Sequence, residues 1–383
     1  MQVALAVTIV AAAGLLIRSV LRLQSVDLGL PADRLVLLEL YVPAKHTARE
    51  RHAQFLDEAV ASLEAVPAVS AATPVNLSPF TGQGWDLPRF TAEGQDPEQA
   101  AANPSLNVES IHPNFFETFQ VPIVHGRAFR HADRAGAVAV AIVSDDVAAR
   151  IWPGEDAIGK RLKMGDPDSQ GPWYTVVGIA APTRYRTITS PRPTLYLPAA
   201  QFQMTATMLV VRSSASLELL SSIARDRIRM VDLDVEVMRV SPFAEMLDRP
   251  LARPRFNAFL LGVFGLAALL LSTIGLYAVM ASYVRQRDRE IAVRLALGAT
   301  VARVRRLVLA EAARLAGLGA LLGFAASAVG TRMLRSMLFE VDALDLPTLI
   351  GAALLLVAAA AFASYLPVRR ATRVDAVAML RSQ

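Results

Sequence analysis

The stretch from Phe256 to Val284 contains no charged residue, and it limits the possible folds more than any other feature of the sequence. At about 1.5 Å per residue, a helix of this length would extend beyond ~40 Å, whereas the hydrocarbon core of a bilayer is ~30 Å thick. Leu346 to Leu366 is also uncharged, and an apolar run from Val3 leads to Arg18 and Arg22 in a segment that ends at Leu23. The chain is therefore predicted to cross a membrane.

A signal peptide is the alternative interpretation of residues 1–23. It would need a basic region before the apolar run and a small-residue cleavage pattern after it. The start of the chain and the following LIRSVLRLQ provide neither, so this segment is interpreted as the first transmembrane helix.

A further transmembrane helix is predicted over about 307–333, where Gly319 and Gly323 have the G-x-x-x-G spacing that permits close helix contact. The glycines at 262, 265 and 275 are expected to serve the same purpose in the helix at 256–284. Glu311 and Arg314 could form a functional ion pair inside the membrane, but a local pair at the interface is favoured because both lie near the helix start.

The distribution of charge predicts which side of the membrane each loop occupies. Residues 285–306 carry seven arginines against two acidic residues, an excess that is typical of cytoplasmic loops. The loop at 336–345 has three acidic residues and no basic one, and the tail after Leu366 is again rich in arginine. Four crossings would then place both termini in the cytoplasm and residues 24–255 outside.

Residues 24–255 contain no run long enough to span a bilayer and are predicted to form a soluble α+β domain. Alternating apolar residues predict two β-α-β units, with strands at 35–42, 69–75, 207–212 and 235–240 and helices at 48–65 and 217–230. The two units are expected to pack into one layer. Residues 76–204 would form an inserted subdomain with strands at 106–111, 139–143, 174–179 and 194–197 and a helix at 145–152.

The predicted fold class is accordingly an α+β membrane protein. Four transmembrane helices (about 1–23, 256–284, 307–333 and 346–366) would carry a large extracytoplasmic domain between the first and second helices.

No catalytic or metal site is predicted. The chain has no cysteine, and its five histidines, at 46, 52, 112, 125 and 131, show no metal-ligand spacing. Gly154 to Lys160 reads GEDAIGK, which resembles a phosphate-binding loop but lacks the following Ser or Thr and the preceding strand, so a turn is favoured. Asp145 and Asp146 are explained by a helix start, where acidic residues are favourable.

The net charge of +5 does not indicate nucleic-acid binding, because the arginines lie beside apolar runs and not in a patch interleaved with aromatic residues.

In the segment at 285–306, helical spacing would place Arg287, Glu290 and Arg294 on one face and apolar residues on another. Gly298 is a candidate helix stop and Thr300 a candidate N-cap. From chemistry alone, such a segment could set topology and touch lipid headgroups, or it could dock onto a soluble partner.

The segment DREIAVRLALGA resembles the REIGVRMALGA-type signature between the second and third helices of MacB/FtsX-like ABC transporter permeases. Three further segments resemble patterns of that family in the same order: LLIRSVLRLQSVDLGL, AIVSDDVAARIWPGEDAIGKRL and LPVRRATRVDAVAMLR. The likeness is greatest to the C-terminal half of duplicated permeases described from acidobacteria. Ala292 and Leu295 stand where the family usually has Gly and often has Met, and both changes are small.

The resemblance implies a permease subunit that couples ATP hydrolysis by a separate ATPase to movement of its periplasmic domain. The ATPase contact would be made by Arg289, Glu290, Ile291, Arg294, Leu297, Gly298 and Ala299. ATP would be bound by that partner, and this chain would hold no cofactor. The protein would reside in the inner membrane and work with a second permease unit, as a homodimer or as half of a duplicated chain. Because family members have residues upstream of the first helix, the start at Met1 is expected to be a truncation or a mis-assigned start.

Two other functions remain open. A transmembrane sensor would explain the outer domain, but it predicts a signalling module on the cytoplasmic side. A regulator of cell-wall enzymes without transport is the third possibility, because some relatives with four such helices act in this way.

Overall fold

The computed structural model describes residues 2–43, 49–202, 204–287 and 345–371, together with 290, 293, 300, 303, 306, 310, 314, 317–319, 321–326 and 338–342. The chain divides into two compact units. One comprises Met1–Ser25 and Leu251–Gln383, and the other comprises Val26–Pro250.

The helices are numbered in chain order as α1 (Gln2–Gln24), α2 (Arg49–Glu64), α3 (Pro97–Ala101), α4 (Phe115–Phe119), α5 (Asp145–Ile151), α6 (Leu217–Val231), α7 (Asp248–Gln286) and α8 (Leu346–Ala371). The strands are β1 (Leu35–Tyr41), β2 (Val69–Val75), β3 (Trp85–Leu87), β4 (Phe90–Ala92), β5 (Leu106–Ile111), β6 (Ile123–Gly126), β7 (Val140–Ser144), β8 (Arg161–Met164), β9 (Tyr174–Ala180), β10 (Thr194–Pro198), β11 (Met208–Ser213) and β12 (Glu236–Pro242). Two 3-10 helices lie at Ala32–Arg34 and Phe243–Leu247.

The described residues of the unit Val26–Pro250 form two sheets. The first has four strands in the order β12-β1-β11-β2, and its adjacent strands are antiparallel. Helices α2 and α6 each connect two parallel strands that are separated by a third strand, which is a split β-α-β arrangement. Phe55 and Leu63 of α2 and Leu220 and Ile228 of α6 are buried with Leu209 of the sheet. The strands and helices of both predicted β-α-β units are therefore present, and they share one layer.

The residues between β2 and β11 form a second, eight-stranded sheet. Along its main path the order is β3-β5-β10-β7-β9-β8-β4, and β6 pairs with β9. The β10/β5 and β7/β9 pairs are parallel and the other pairs are antiparallel. All four strands predicted in this region are found as β5, β7, β9 and β10, and the predicted helix is α5.

Among the described residues, three helices are long and apolar enough to cross a membrane: Gln2–Gln24, Phe243–Gln286 with its leading 3-10 turn, and Leu346–Ala363. The helix predicted at 307–333 is described only in part, including the apolar helical segment Gly317–Ala326, so the count of four stays a prediction. Helix α7 begins at Asp248 instead of Phe256. The sequence there, DRPLARPR, is charged and contains two prolines, so hydropathy gives no sign of this polar extension.

Helix α1 packs against several other parts of the membrane unit. Its Ala6 and Val7 are buried with Leu356 of α8 and partly buried Leu269 of α7, and its Leu16 and Val20 are buried with Ala258 of α7. The buried share of its apolar stretch is 39%, against 17% in the second span and 22% in the third, so α1 is the most buried of the three helices.

Glycines permit close approach to α1, as predicted for Gly319 and Gly323. A Cβ atom at Gly323 would lie 2.5 Å from Val7 Cβ and 2.9 Å from the Ala4 carbonyl oxygen, and one at Gly319 would lie 2.6 Å from Val3 Cγ1. In α7, Gly265 faces Val10 of α1, whereas no described atom lies within 4 Å of a Cβ built at Gly262.

Candidate functional site

Helix α7 ends in a polar segment with local contacts to its own last turn. The Arg287 guanidinium lies 4.6 Å from the centre of the Tyr283 ring, and its Nε lies 3.8 Å from Glu290 Oε2. Arg287 and Glu290 therefore share a face, as the helical spacing predicted. Both side chains are almost half exposed, so the pair adds little stability and its charges remain accessible to a partner.

Seven residues were predicted to contact an ATPase, and the structure describes only one of them. Glu290 is helical and exposed. The other six, Arg289, Ile291, Arg294, Leu297, Gly298 and Ala299, lie outside the described residues, as does Glu311 of the predicted Glu311–Arg314 pair. The proposed docking role of this segment therefore stays a prediction.

The segment that follows is also basic at its surface. Arg303, Arg306 and Arg314 are helical and exposed. The Arg303 amide donates to the Thr300 carbonyl at 2.9 Å, which places Arg303 one turn beyond the predicted helix start.

At the other end of the membrane unit, the acidic loop contacts α1. Asp345 caps α8, because its Oδ2 accepts from the Thr348 amide at 3.1 Å and from the Thr348 hydroxyl at 2.6 Å. Arg18 of α1 forms an ion pair with the same carboxylate, and Ser19 Oγ accepts from the Phe339 amide at 2.8 Å. This arrangement explains how an arginine is accommodated beside an acidic loop that was predicted to face outside.

The unit Val26–Pro250 contains a cavity of about 430 Å³ between α2 and the second sheet. It is lined by the buried His52 and Leu56 of α2, by His112 in the segment after β5, and by Arg130, His131 and Arg134 in the segment after β6. His52 Nε2 lies 2.8 Å from the Ala206 carbonyl, and His112 Nδ1 lies 3.7 Å from Asp57 Oδ1.

An internal ion pair holds the segment that carries Arg130 and Arg134. Asp133 Oδ2 and Oδ1 accept from Arg127 Nη1 and Nη2 at 2.8 and 3.0 Å, and Oδ2 also accepts from the Arg130 amide at 2.8 Å. Burial alone would raise the pKa of Asp133, but the hydrogen bonds from Arg127 and from the Arg130 amide lower it below its ordinary value. Asp133 is therefore ionised, and its charge is already balanced by Arg127.

The sequence assigned no role to these cavity residues, because they come from four separated segments and have no local spacing in common. Of the remaining histidines, His125 is exposed with its Nε2 3.4 Å from Asp156 Oδ2, and His46 lies outside the described residues. Within the described part of the chain, no group of three or more His, Asp or Glu side chains could hold a metal ion.

The local sequence patterns that were set aside have structural explanations. GEDAIGK forms the turns between α5 and β8, where Lys160 Nζ contacts Glu155 Oε2 at 2.6 Å and Asp156 Oδ1 accepts from the Ile158 amide. Asp145 and Asp146 occupy the first turn of α5, as expected from the helix dipole.

Two family models match the chain. The MacB-like periplasmic core domain matches residues 3–227, and the FtsX-like permease C-terminal model matches residues 262–376. The architecture and these matches define a membrane protein with an extracytoplasmic α+β domain. The chain belongs to the family of MacB/FtsX-like ABC transporter permeases.

Two of the relatives that match this chain are named as export proteins. The chain is 27% identical over 291 residues to the pyoverdine export ATP-binding/permease protein PvdT of Pseudomonas putida, covering 70% of this chain and 42% of the relative. It is 24% identical over 343 residues to the macrolide export ATP-binding/permease protein MacB of Azoarcus sp., covering 88% and 49%. The chain thus spans less than half the length of these curated relatives.

Among solved structures, the periplasmic region of MacB from Actinobacillus actinomycetemcomitans aligns with 58% of this chain and 94% of its own length. The sequence identity is 12% and the TM-score is 0.38.

Proposed function

We propose that this permease couples ATP hydrolysis by a separate ATPase to movement of its extracytoplasmic domain, and that this movement drives export or efflux. The observation that carries this proposal is the short covalent link between the domain and its membrane helices. Phe243 is fully buried in the domain and contacts Phe80 and Phe119, and the 3-10 helix Phe243–Leu247 continues directly into α7.

The link from α1 is equally short. Helix α1 ends at Gln24, and the buried Leu28 already belongs to the domain, where its carbonyl accepts from the Arg184 amide at 3.0 Å. A displacement of either helix would therefore pull directly on packed residues of the domain, because no long flexible linker separates them.

The ATPase contact is proposed at Arg289, Glu290, Ile291, Arg294, Leu297, Gly298 and Ala299, on the basis of the family signature in this segment. The exposed charges of Arg287 and Glu290 support it. ATP would be bound and hydrolysed by the partner, so this chain would hold no cofactor and would not itself be an enzyme.

A second permease unit, in a homodimer or in a longer duplicated chain, is proposed to complete the transporter. Helix α7 exposes large apolar side chains along its length, among them Phe259, Phe264, Leu271 and Ile274. Lipid and the helices of a second unit are the environments in which such a surface is stable.

The proposed location is the bacterial inner membrane, with both termini in the cytoplasm and residues 24–255 outside. The basic side chains after α7 and the acidic residues before α8 support this orientation.

A charge exchange tests the coupling role. The double variant Glu290→Arg with Arg294→Glu keeps the net charge, and basic topology signals elsewhere in the chain remain, so membrane insertion is expected to be unchanged. When the chain is reconstituted in proteoliposomes with its ATPase, the affinity between them is expected to fall about tenfold, equivalent to ~1.4 kcal/mol, and stimulation of ATP hydrolysis to be lost.

The matched control exchanges an exposed ion pair of the domain, as Arg89→Glu with Asp166→Arg, and it should behave like the unchanged protein. Normal stimulation of ATP hydrolysis by the Glu290/Arg294 variant would contradict the docking role of this segment. Failure of the unchanged chain to stimulate any ATPase, together with copurification of a two-component signalling protein, would favour a sensor instead.

A further inference from the structure

The cavity beside α2 lies at the junction of the two sheets of the extracytoplasmic domain. Strands β5 and β10 are parallel neighbours with Ile111 opposite Pro198, so their carboxyl ends form one wall of the cavity. Helix α2 of the four-stranded sheet forms the facing wall, and Met204 and Thr205, which lead back to β11, contribute to the lining. A ligand in this cavity would therefore contact both halves of the domain.

The size of the cavity and its mixture of apolar and polar lining residues suit a small organic molecule. Ligand sites in proteins usually have volumes of about 300–1,000 Å³, and the cavity has about 430 Å³. Leu56, Ile111, Pro113 and Pro198 are among the lining residues and contribute its apolar part, on which the body of a ligand would pack.

The charged groups around the cavity have an excess of cations. The carboxylate of Asp133 forms its ion pair with Arg127, and the nearby charge of Arg130 contributes to lowering its pKa. Asp57 faces His112 at 3.7 Å and is 75% exposed. Within the described part of the chain, neither Arg130 nor Arg134 forms an ion pair, and two guanidinium groups are thus available for a bound anion.

The cavity is preorganised. The Asp133 carboxylate fixes the turn between Arg127 and Arg134 by three hydrogen bonds, and His52 is only 6% exposed, with its Nε2 2.8 Å from the Ala206 carbonyl. Prior ordering of this kind reduces the entropy cost of binding.

We propose that this cavity binds an organic anion whose carboxylate pairs with Arg130 and Arg134 while its apolar body packs on Leu56, Ile111 and Pro198. Guanidinium groups suit this role because their fork of N–H donors matches a carboxylate in shape and charge. Occupancy would hold α2 and the second sheet together across the junction. The site does not depend on whether the segment at 285–306 docks an ATPase.

The test uses the full chain in phosphatidylcholine nanodiscs and two probes of nearly the same shape, 2-naphthoate and its neutral counterpart 2-naphthamide. Binding is measured by equilibrium dialysis, with empty nanodiscs as the blank. Naphthoate is expected to bind at one saturable site per chain, at least tenfold more tightly than naphthamide.

Two pairs of variants locate the site. Arg130→Gln with Arg134→Gln is expected to reduce naphthoate affinity to that of naphthamide, and its control, Arg150→Gln with Arg229→Gln, removes two exposed arginines of the same domain away from the cavity. Ala53→Trp fills the cavity and should abolish binding of both probes, whereas Ala61→Trp on the exposed face of the same helix should not.

The proposal is overturned if the unchanged chain shows no saturable naphthoate binding, or if the two probes bind equally. It is also overturned if the Arg130/Arg134 variant binds naphthoate like its Arg150/Arg229 control. Because that comparison does not involve a bulky side chain, misfolding of Ala53→Trp would not leave the question open.

Discussion

Glu109 and Arg186 form an ion pair that is almost completely buried, with 5% and 3% of their side chains exposed. Both carboxylate oxygens accept from the guanidinium, Asn107 Nδ2 donates to Glu109 Oε1 at 2.7 Å, and Arg186 Nη1 donates to the Leu77 carbonyl at 3.2 Å. The guanidinium also lies 4.7 Å from the centre of the buried Tyr185 ring, and burial raises the pKa of this tyrosine. The pair therefore joins β5 to the segment that follows β9, and the bond to Leu77 joins that segment to the residues that follow β2.

Glu109→Gln is predicted to destabilise the second sheet strongly, because it leaves the Arg186 charge buried without a counter-charge. Breaking a buried pair in this way usually costs about 3–5 kcal/mol. The three tryptophans, Trp85, Trp152 and Trp173, all lie in this part of the chain, so denaturant unfolding of the full protein followed by tryptophan fluorescence reports on it selectively.

The matched control for this prediction is Glu93→Gln. Glu93 forms a two-pronged pair with Arg161 in the same subdomain, but both side chains are nearly half exposed, so little change is expected. Equal unfolding midpoints for the two variants would show that the buried pair contributes no more than the exposed one.

Such residues mark the limit of what the sequence could predict at this scale. Glu109 and Arg186 are far apart in the chain, and nothing in their local surroundings shows that they meet. The same holds for His52, His112 and Arg130 at the cavity. By contrast, the turn at GEDAIGK and the acidic start of α5 depend on adjacent residues and were predicted correctly.

At the scale of elements, close contact between α1 and the helical segment Gly317–Ala326 depends on two glycines. A Cβ atom at Gly323 would come too close both to Val7 and to the Ala4 carbonyl oxygen. The backbone atom cannot move aside as a flexible side chain would, so the helices would have to separate.

Gly323→Ala is therefore predicted to lower the thermal unfolding temperature of the detergent-solubilised protein, even though alanine is the better helix former by about 1 kcal/mol. Gly262→Ala is the matched control, because no described atom lies within 4 Å of a Cβ atom built at this position. Its unfolding temperature should be unchanged or slightly raised. If the two variants have the same unfolding temperature, helix propensity and not packing against α1 determines their stability.

The elements that the sequence predicted correctly are those with enough residues to show a period. Strands such as β1 and β9 alternate or run continuously apolar, and α2 repeats Phe55, Ala59 and Leu63 on one face. The missed strands β3, β4, β6 and β8 have only three or four residues, and the missed helices α3 and α4 have five. Segments this short acquire their structure from neighbouring strands and caps, so their own sequence carries little signal.

At the scale of the whole molecule, the described charges segregate along the chain. Arg285 lies in the last turn of α7, and Arg287, Arg303 and Arg306 follow that helix, whereas Glu340, Asp342 and Asp345 precede α8. The helical segment Gly317–Ala326 lies between these two groups in the sequence. If it belongs to a helix that crosses the membrane, the two groups face opposite sides.

The absence of cysteine from the sequence makes this orientation directly testable. Single cysteines are introduced as Ser105→Cys in the domain, Asp342→Cys in the acidic loop and Thr300→Cys in the basic segment, all at exposed positions. In intact spheroplasts, a membrane-impermeant maleimide is expected to label the first two and to label the third only after permeabilisation, because the proposed orientation places the arginine-rich segment in the cytoplasm. The unsubstituted chain supplies a blank without thiols. Labelling of Thr300→Cys in intact spheroplasts, or protection of Ser105→Cys, would reverse the orientation and remove the basis for an ATPase contact at residues 289–299.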